Sequence, residues 1–194
     1  PRKLDYFDVE TFRNNPMEFW IVCTNVGTGK AVYKRLMEVN DACLEYIRAS
    51  ASMPIAARIV TVEGKKLLDG GIADSIPLRF FQEQGYDRNL VVLTQPANYV
   101  KKPNKLMPLM RLWLRRHPRI IRALEQRHIM YNNQLEYVRQ EEKKPNTLVI
   151  RPKKPLTIGH ISHNPDDMQA TYDHGREVAT EHLEEIKAFF CIRR

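Results

Sequence analysis

Leu67-Leu68-Asp69-Gly70-Gly71 is the stretch that decides how this chain is read, with Arg48-Ala49-Ser50-Ala51-Ser52-Met53-Pro54 before it and Ile76-Pro77 after it. Two leucines running into a carboxylate and two glycines describe a buried strand that stops and turns sharply. Because the glycines carry no side chains to obstruct it, Asp69 can be presented to a cavity. On these residues alone the carboxylate is either a cap on the following turn or a catalytic group.

Working outward, Phe19-Trp20-Ile21-Val22-Cys23 is aromatic and β-branched, Asn25 to Lys30 supplies turn residues, and Val32-Tyr33 resumes the strand pattern, which predicts a hairpin. Its Gly27-Thr28-Gly29-Lys30 string is superficially like a phosphate-binding loop. It fails that pattern, because Thr24 stands where a glycine is needed and Ala31 where Ser or Thr is needed. Asn40 to Ser52 predicts a helix closed by Pro54, and Ala57 to Val62, Glu63-Gly64 and Lys65 to Leu68 predict a second strand pair. Asp74 or Ser75 caps a short helix with Pro77 in its first turn and Phe80 and Phe81 on its buried face, and Leu90-Val91-Val92-Leu93 reads as a fully buried strand. This succession implies an α/β fold with a mostly parallel sheet, helices on both faces, and a C-terminal helical segment.

The 194 residues carry a net charge of +8. All of it resides in residues 101–144, where twelve Lys and Arg face four Glu, so the rest of the chain is neutral. Three regions follow: a core over 1–100, a basic amphipathic segment over 101–144, and a strand with a terminal helix over 145–194. In the basic segment Leu106, Leu109, Met110 and Trp113 share one helical face, and Ile121, Leu124, His128, Tyr131, Leu135 and Val138 form a second stripe after His117-Pro118. The first stripe either covers the core, leaving the arginines solvated, or docks with Arg111, Arg115, Arg116, Arg119 and Arg122 on an anionic membrane surface. His128 is expected to be a packed histidine. Nucleic acid is not an expected partner, since no recognised binding fold or interleaved aromatic and basic surface accompanies the charge. In the terminal helix Met168, Tyr172, Ala179, Leu183, Ile186 and Phe190 are expected to dock on the core, and Gly175, which costs about 1 kcal/mol relative to alanine, suggests close packing or a helix break.

The longest apolar runs, Phe19 to Cys23 and Leu106 to Met110, fall far short of the roughly 18 to 20 residues that span a bilayer. Cys23, Cys43 and Cys191 lack the spacing of a disulfide framework and read as core fillers, which suits a reducing, cytoplasmic location, peripheral on the membrane if the basic face docks there. His160 and His163 with Asp166 want a third ligand at helical spacing, so neither metal nor cofactor is expected.

The strings Val22 to Gly29, Arg48 to Pro54, Leu68 to Pro77, Val91 to Pro96 and Tyr172-Asp173-His174-Gly175, in this order, resemble the patatin-like phospholipases, and among them a bacterial group. The resemblance covers roughly residues 17–176 and implies part of a three-layer α/β fold. It also implies a Ser-Asp dyad that hydrolyses lipid or other acyl esters through an acyl-enzyme, with Asp69 as general base and Gly70, Gly71, Ser52 and Pro54 as its supporting motif. In that family the nucleophile stands on a G-x-S-x-G elbow and a glycine-rich loop holds the oxyanion, both upstream of the aspartate. None of Ser50, Ser52, Ser75 and Ser162 has glycines two residues to each side. Ser52 is therefore expected to shape the wall beside Asp69. The expectation is the C-terminal part of such a hydrolase, inactive by itself and able to form a homodimer through an exposed strand edge. The alternative is a non-catalytic membrane- or partner-binding module derived from the same fold.

Overall fold

The computed structural model describes residues 7–156, 158–159, 162 and 164–191. The chain runs α1 (Val9–Asn14), β1 (Phe19–Asn25), β2 (Ala31–Leu36), α2 (Asp41–Ser50), β3 (Val60–Val62), β4 (Lys65–Asp69), a 3-10 turn (Gly70–Ile72), α3 (Leu78–Glu83), β5 (Asn89–Val92), α4 (Met107–Trp113), α5 (Pro118–Glu141), β6 (Thr147–Ile150), α6 (Pro165–Glu181) and α7 (Leu183–Phe189). It forms two compact units, Pro1–Pro77 with Lys101–Asn132 and Leu78–Val100 with Asn133–Arg194.

The first unit is built on a four-stranded sheet in the order β2-β1-β4-β3. Every neighbouring pair in it is antiparallel. This corrects the expectation of a mostly parallel sheet. The physical reason for β1–β2 and β3–β4 lies in their tight turns, which force antiparallel pairing, and β4 then lies antiparallel to β1 across the longer connection through α2. Asn25 Oδ1 accepts the N–H groups of Gly27 (2.9 Å) and Thr28 (3.0 Å) and closes the first hairpin. Glu63 and Gly64 both adopt positive φ, 49° and 72°, and close the second.

Leu67 and Leu68 point to opposite faces of β4, as successive strand residues must. Leu67 packs with Ile21, Cys23, Tyr46, Ala49 and Val60, the core under α2. Leu68 packs with Val26, Ile72, Met110, Leu114, Ile120 and Leu124, the core under α4 and α5. Burying each leucine on its own side is worth about 1.5 to 3 kcal/mol. The start of α5 lies directly on the first hairpin turn: Gly29, at φ +69°, would place a Cβ only 2.6 Å from the Arg119 carbonyl oxygen. The apolar stripe expected on α5 is buried at Leu124, Leu135 and Val138, whereas the one expected on α4 is buried at Met110 alone. On α4 only Met110 is buried, joined by Leu114 just beyond the helix, while Leu106, Leu109 and Trp113 are exposed. On α5 the buried stripe starts at Ile120 rather than Ile121.

In the second unit β5 and β6 pair parallel, from Asn89↔Thr147 to Val92↔Ile150. β5 is not fully buried, because Val92 is 69% exposed. α3 begins at Leu78, so Pro77 precedes it. Neither α6 nor α7 has a buried residue, and Met168, Tyr172, Leu183 and Phe190 are exposed. The expected docking of that face is therefore not seen, and α6 runs unbroken through Gly175, where an added Cβ meets nothing within 4 Å. Cys23 and Cys43 are buried, but Cys191 is exposed and is no core filler. His160 and His163 lie outside the described residues. No helix among the described residues is long and apolar enough to cross a membrane.

Two glycine substitutions should move stability in opposite directions. With open space around it, Gly175→Ala gains about 0.5 to 1 kcal/mol of helix stability, whereas Gly29→Ala, strained in φ and clashing with a carbonyl, loses about 2 kcal/mol or more. Chemical unfolding followed by circular dichroism separates the two signs.

Candidate functional site

Asp69 ends β4, and three bonds fix the main chain around it. Its N–H donates to the Ser52 carbonyl at 3.0 Å. Its own carbonyl accepts the Thr24 hydroxyl at 2.7 Å, and the same hydroxyl oxygen accepts the Ala73 N–H at 3.2 Å. Thr24 is fully buried and so ties both ends of the turn to β1. At Gly70 the turn lies so close to β1 that a Cβ would stand 2.2 Å from the Val22 carbonyl oxygen. No side chain can occupy that position without moving backbone.

The Asp69 carboxylate, through Oδ1, accepts the Gly71 N–H at 2.7 Å and caps the 3-10 turn. It also lines an open cleft of about 500 Å³ together with Phe19, Trp20, Ile21 and Ile47 on an apolar wall and Ser50, Asp74 and Ser75 among its polar groups. That volume suits a small-molecule site. The carboxylate thus caps the turn, and its residue also lines the cleft.

The serines near it are held by main-chain carbonyls. Ser50 donates to Val22 (2.8 Å), Ser52 to Arg48 (2.7 Å) and Ser75 to Gly71 (2.7 Å). Ser52, 3% exposed, is not among the residues lining the cleft and meets Asp69 only through its main-chain carbonyl, and Pro54 is partly buried just past it. Asp74 accepts the Tyr33 phenol hydrogen bond.

The arginines picked out from the sequence do not converge on Asp69. Arg111 pairs with Glu125 at 2.6 Å, Arg119 reaches the Gly27 carbonyl at 3.4 Å, and Arg115, Arg116 and Arg122 are exposed. The arginine that does reach the turn is Arg127, whose Nε–H donates to the Gly71 carbonyl at 2.7 Å. It follows the buried Ile120 and Leu124 at i+7 and i+3, and a charged residue on a buried stripe is the sequence signal for it. Thr24 had a weaker signal, a single hydroxyl in an otherwise apolar strand.

Cys23 lies opposite Asp69 in the β1–β4 register. Burial, and after it the Asp69 charge, pushes its thiol up to about 11 from an ordinary value of 9.0. Between those two values the unfolded chain holds fewer protons on this thiol than the folded one, so stability falls as pH rises from about 9 to 11. Urea midpoints taken across that window should decline, and Cys23→Ala should flatten the slope.

The model of the patatin-like phospholipase family matches residues 13–81, the segment from the first hairpin through α2 to the Asp-Gly-Gly turn and into α3. A domain of unknown function, DUF6363, matches residues 117–191. Uncharacterized protein YjjU of Escherichia coli (strain K12) is 29% identical over 174 residues, covering 79% of this chain and 46% of YjjU. The chain thus spans about half the length of that relative. The hairpin, the turn and the carboxylate all lie inside the segment that is similar to the patatin-like phospholipase family.

Proposed function

We propose that this chain supplies the general-base half of a serine acyl-ester hydrolase acting on lipids, with Asp69 as the base and the nucleophilic serine outside these 194 residues. The observation that carries this reading is the Asp69 carboxylate, pinned by the Gly71 N–H and facing a cleft with one apolar wall. An acyl chain fits such a wall, and a fixed carboxylate suits proton transfer. Asp69 takes the serine hydroxyl proton as the serine oxygen attacks the ester carbonyl, then gives that proton to the departing alcohol as the acyl-enzyme forms. Water, deprotonated by the same carboxylate, attacks the acyl-enzyme carbonyl, and Asp69 returns that proton to the departing serine oxygen, which releases the acid and restores the serine hydroxyl and the Asp69 carboxylate. No serine in this chain stands on a glycine-flanked elbow, so the isolated chain has no nucleophile of the required kind and is inactive.

A lipid substrate also accounts for α4. Leu106, Leu109, Leu112 and Trp113 are 54%, 48%, 65% and 41% exposed, beside the exposed Arg115 and Arg116. We read this face as docking on an anionic membrane surface, where each cation near the lipid contributes about 1 kcal/mol. A non-catalytic membrane-binding module would share this face without using Asp69.

In the full-length protein, Asp69→Asn should lower turnover of a short-chain p-nitrophenyl ester by about 10⁴-fold, while the 194-residue chain alone should show none. Unchanged turnover in the variant favours the non-catalytic module. In vesicle co-sedimentation, binding to phosphatidylglycerol-containing vesicles should be strong at low salt, weak at high salt, and lost on combining Leu109→Ser with Trp113→Ser. Failure to bind at low salt removes the membrane contact.

A further inference from the structure

We propose that the helix opening the DUF6363 region serves the Asp69 turn, with Arg127 as the residue that positions the Asp69 carboxylate; the inference rests on the hydrolase reading above. The two family matches, residues 13–81 and 117–191, do not overlap. The Asp69 turn lies in the first and α5 in the second. Yet residues 101–132 fold into the same compact unit as the turn. Ile120 and Leu124 of α5 pack in one buried cluster with Leu68, which precedes Asp69, and with Ile72, which ends the 3-10 turn. Three residues beyond Leu124, the half-buried Arg127 donates its Nε–H to the Gly71 carbonyl at 2.7 Å.

Gly71 is the link through which this bond reaches the carboxylate. Its N–H donates to Asp69 Oδ1 at 2.7 Å, and its carbonyl accepts both Arg127 Nε–H and the Ser75 hydroxyl, each at 2.7 Å. The donor that holds Asp69 Oδ1 is therefore itself held from its far side by a guanidinium. The packing there is close: a Cβ on Gly71 would stand 3.0 Å from Asp69 Oδ1 and 3.4 Å from Arg127 Nη2. A charged donor makes one of the stronger hydrogen bonds to a carbonyl, and the planar guanidinium fixes its direction in a way a flexible ammonium does not. The register of α5 that delivers Arg127 is set two turns earlier, where Gly29 leaves no room for a Cβ beneath the Arg119 carbonyl. A one-residue slip of the helix would turn Arg127 by about 100° away from the turn. Thr24, in the first matched region, fixes the Asp69 main chain from inside the sheet. Arg127, in the second, fixes the glycine that holds the Asp69 side chain.

Two measurements test this, and the first needs no turnover. In the 194-residue chain, amide hydrogen exchange read by NMR should find the Gly71 N–H protected. Arg127→Gln should speed its exchange at least tenfold, while amides of the β1–β2 pairing exchange as before. In the full-length protein the same variant should lower kcat for a short-chain p-nitrophenyl ester about tenfold with KM unchanged, and Arg127→Lys, which keeps the charge and a donor, should fall between. A bond that only stabilised the fold would speed exchange at Gly71 and across the β1–β2 pairing together and leave kcat per folded molecule unchanged. That result, or Gly71 exchange indifferent to Arg127→Gln, overturns the proposal. Failure of the hydrolase reading appears separately, as full-length turnover indifferent to Asp69→Asn with the Gly71 effect still in place.

Discussion

A main-chain contact with no room for a methyl group holds the candidate site together. Gly70 passes so near Val22 that the turn after β4 and the middle of β1 behave as one rigid piece. Thr24 reinforces it from inside the sheet, donating to Asp69 and accepting from Ala73 across the same turn. The direction of the Asp69 carboxylate is therefore set by backbone packing. The carboxylate itself has one remaining task, to accept the Gly71 N–H and face the cleft. A carboxylate held in this way meets the geometric condition for the proton transfer proposed for it.

The second constraint comes from α5. Its first turn rests on the hairpin at Gly29, against the Arg119 carbonyl, and about 12 Å further along the axis Arg127 reaches the Gly71 carbonyl. The helix thereby touches the sheet at the two turns where glycine permits close approach. Ile120 and Leu124 fill the space between. The basic segment thus divides its cations by position: Arg127, beside the buried stripe, reaches the Asp-Gly-Gly turn, while Arg115, Arg116 and Arg122 are exposed.

Much of this was legible in the residues. Both hairpins follow from their turn chemistry, and Leu67-Leu68, two consecutive apolar residues in a short strand, correctly indicated a strand covered on both faces. The Asp-Gly-Gly string, its distance from the Ala-Ser segment, and the family likeness were visible without coordinates. Strand order was not, because a run such as Val91 to Leu93 marks burial and says nothing of which neighbour it pairs with. The α5 stripe was legible at Leu124, Leu135 and Val138, whereas on α4 only Met110 of the expected face is buried and Leu114, just beyond the helix, joins it. Gly175 misled for another reason: a helix with no buried face tolerates glycine without needing it.

The most direct test of a split Ser-Asp dyad is to locate the serine chemically. Labelling the full-length protein with a fluorophosphonate and mapping the adduct by mass spectrometry reads the activated nucleophile itself. The account predicts one labelled serine outside these 194 residues, with labelling lost in Asp69→Asn. A label on Ser50, Ser52, Ser75 or Ser162, or labelling indifferent to Asp69, would contradict it.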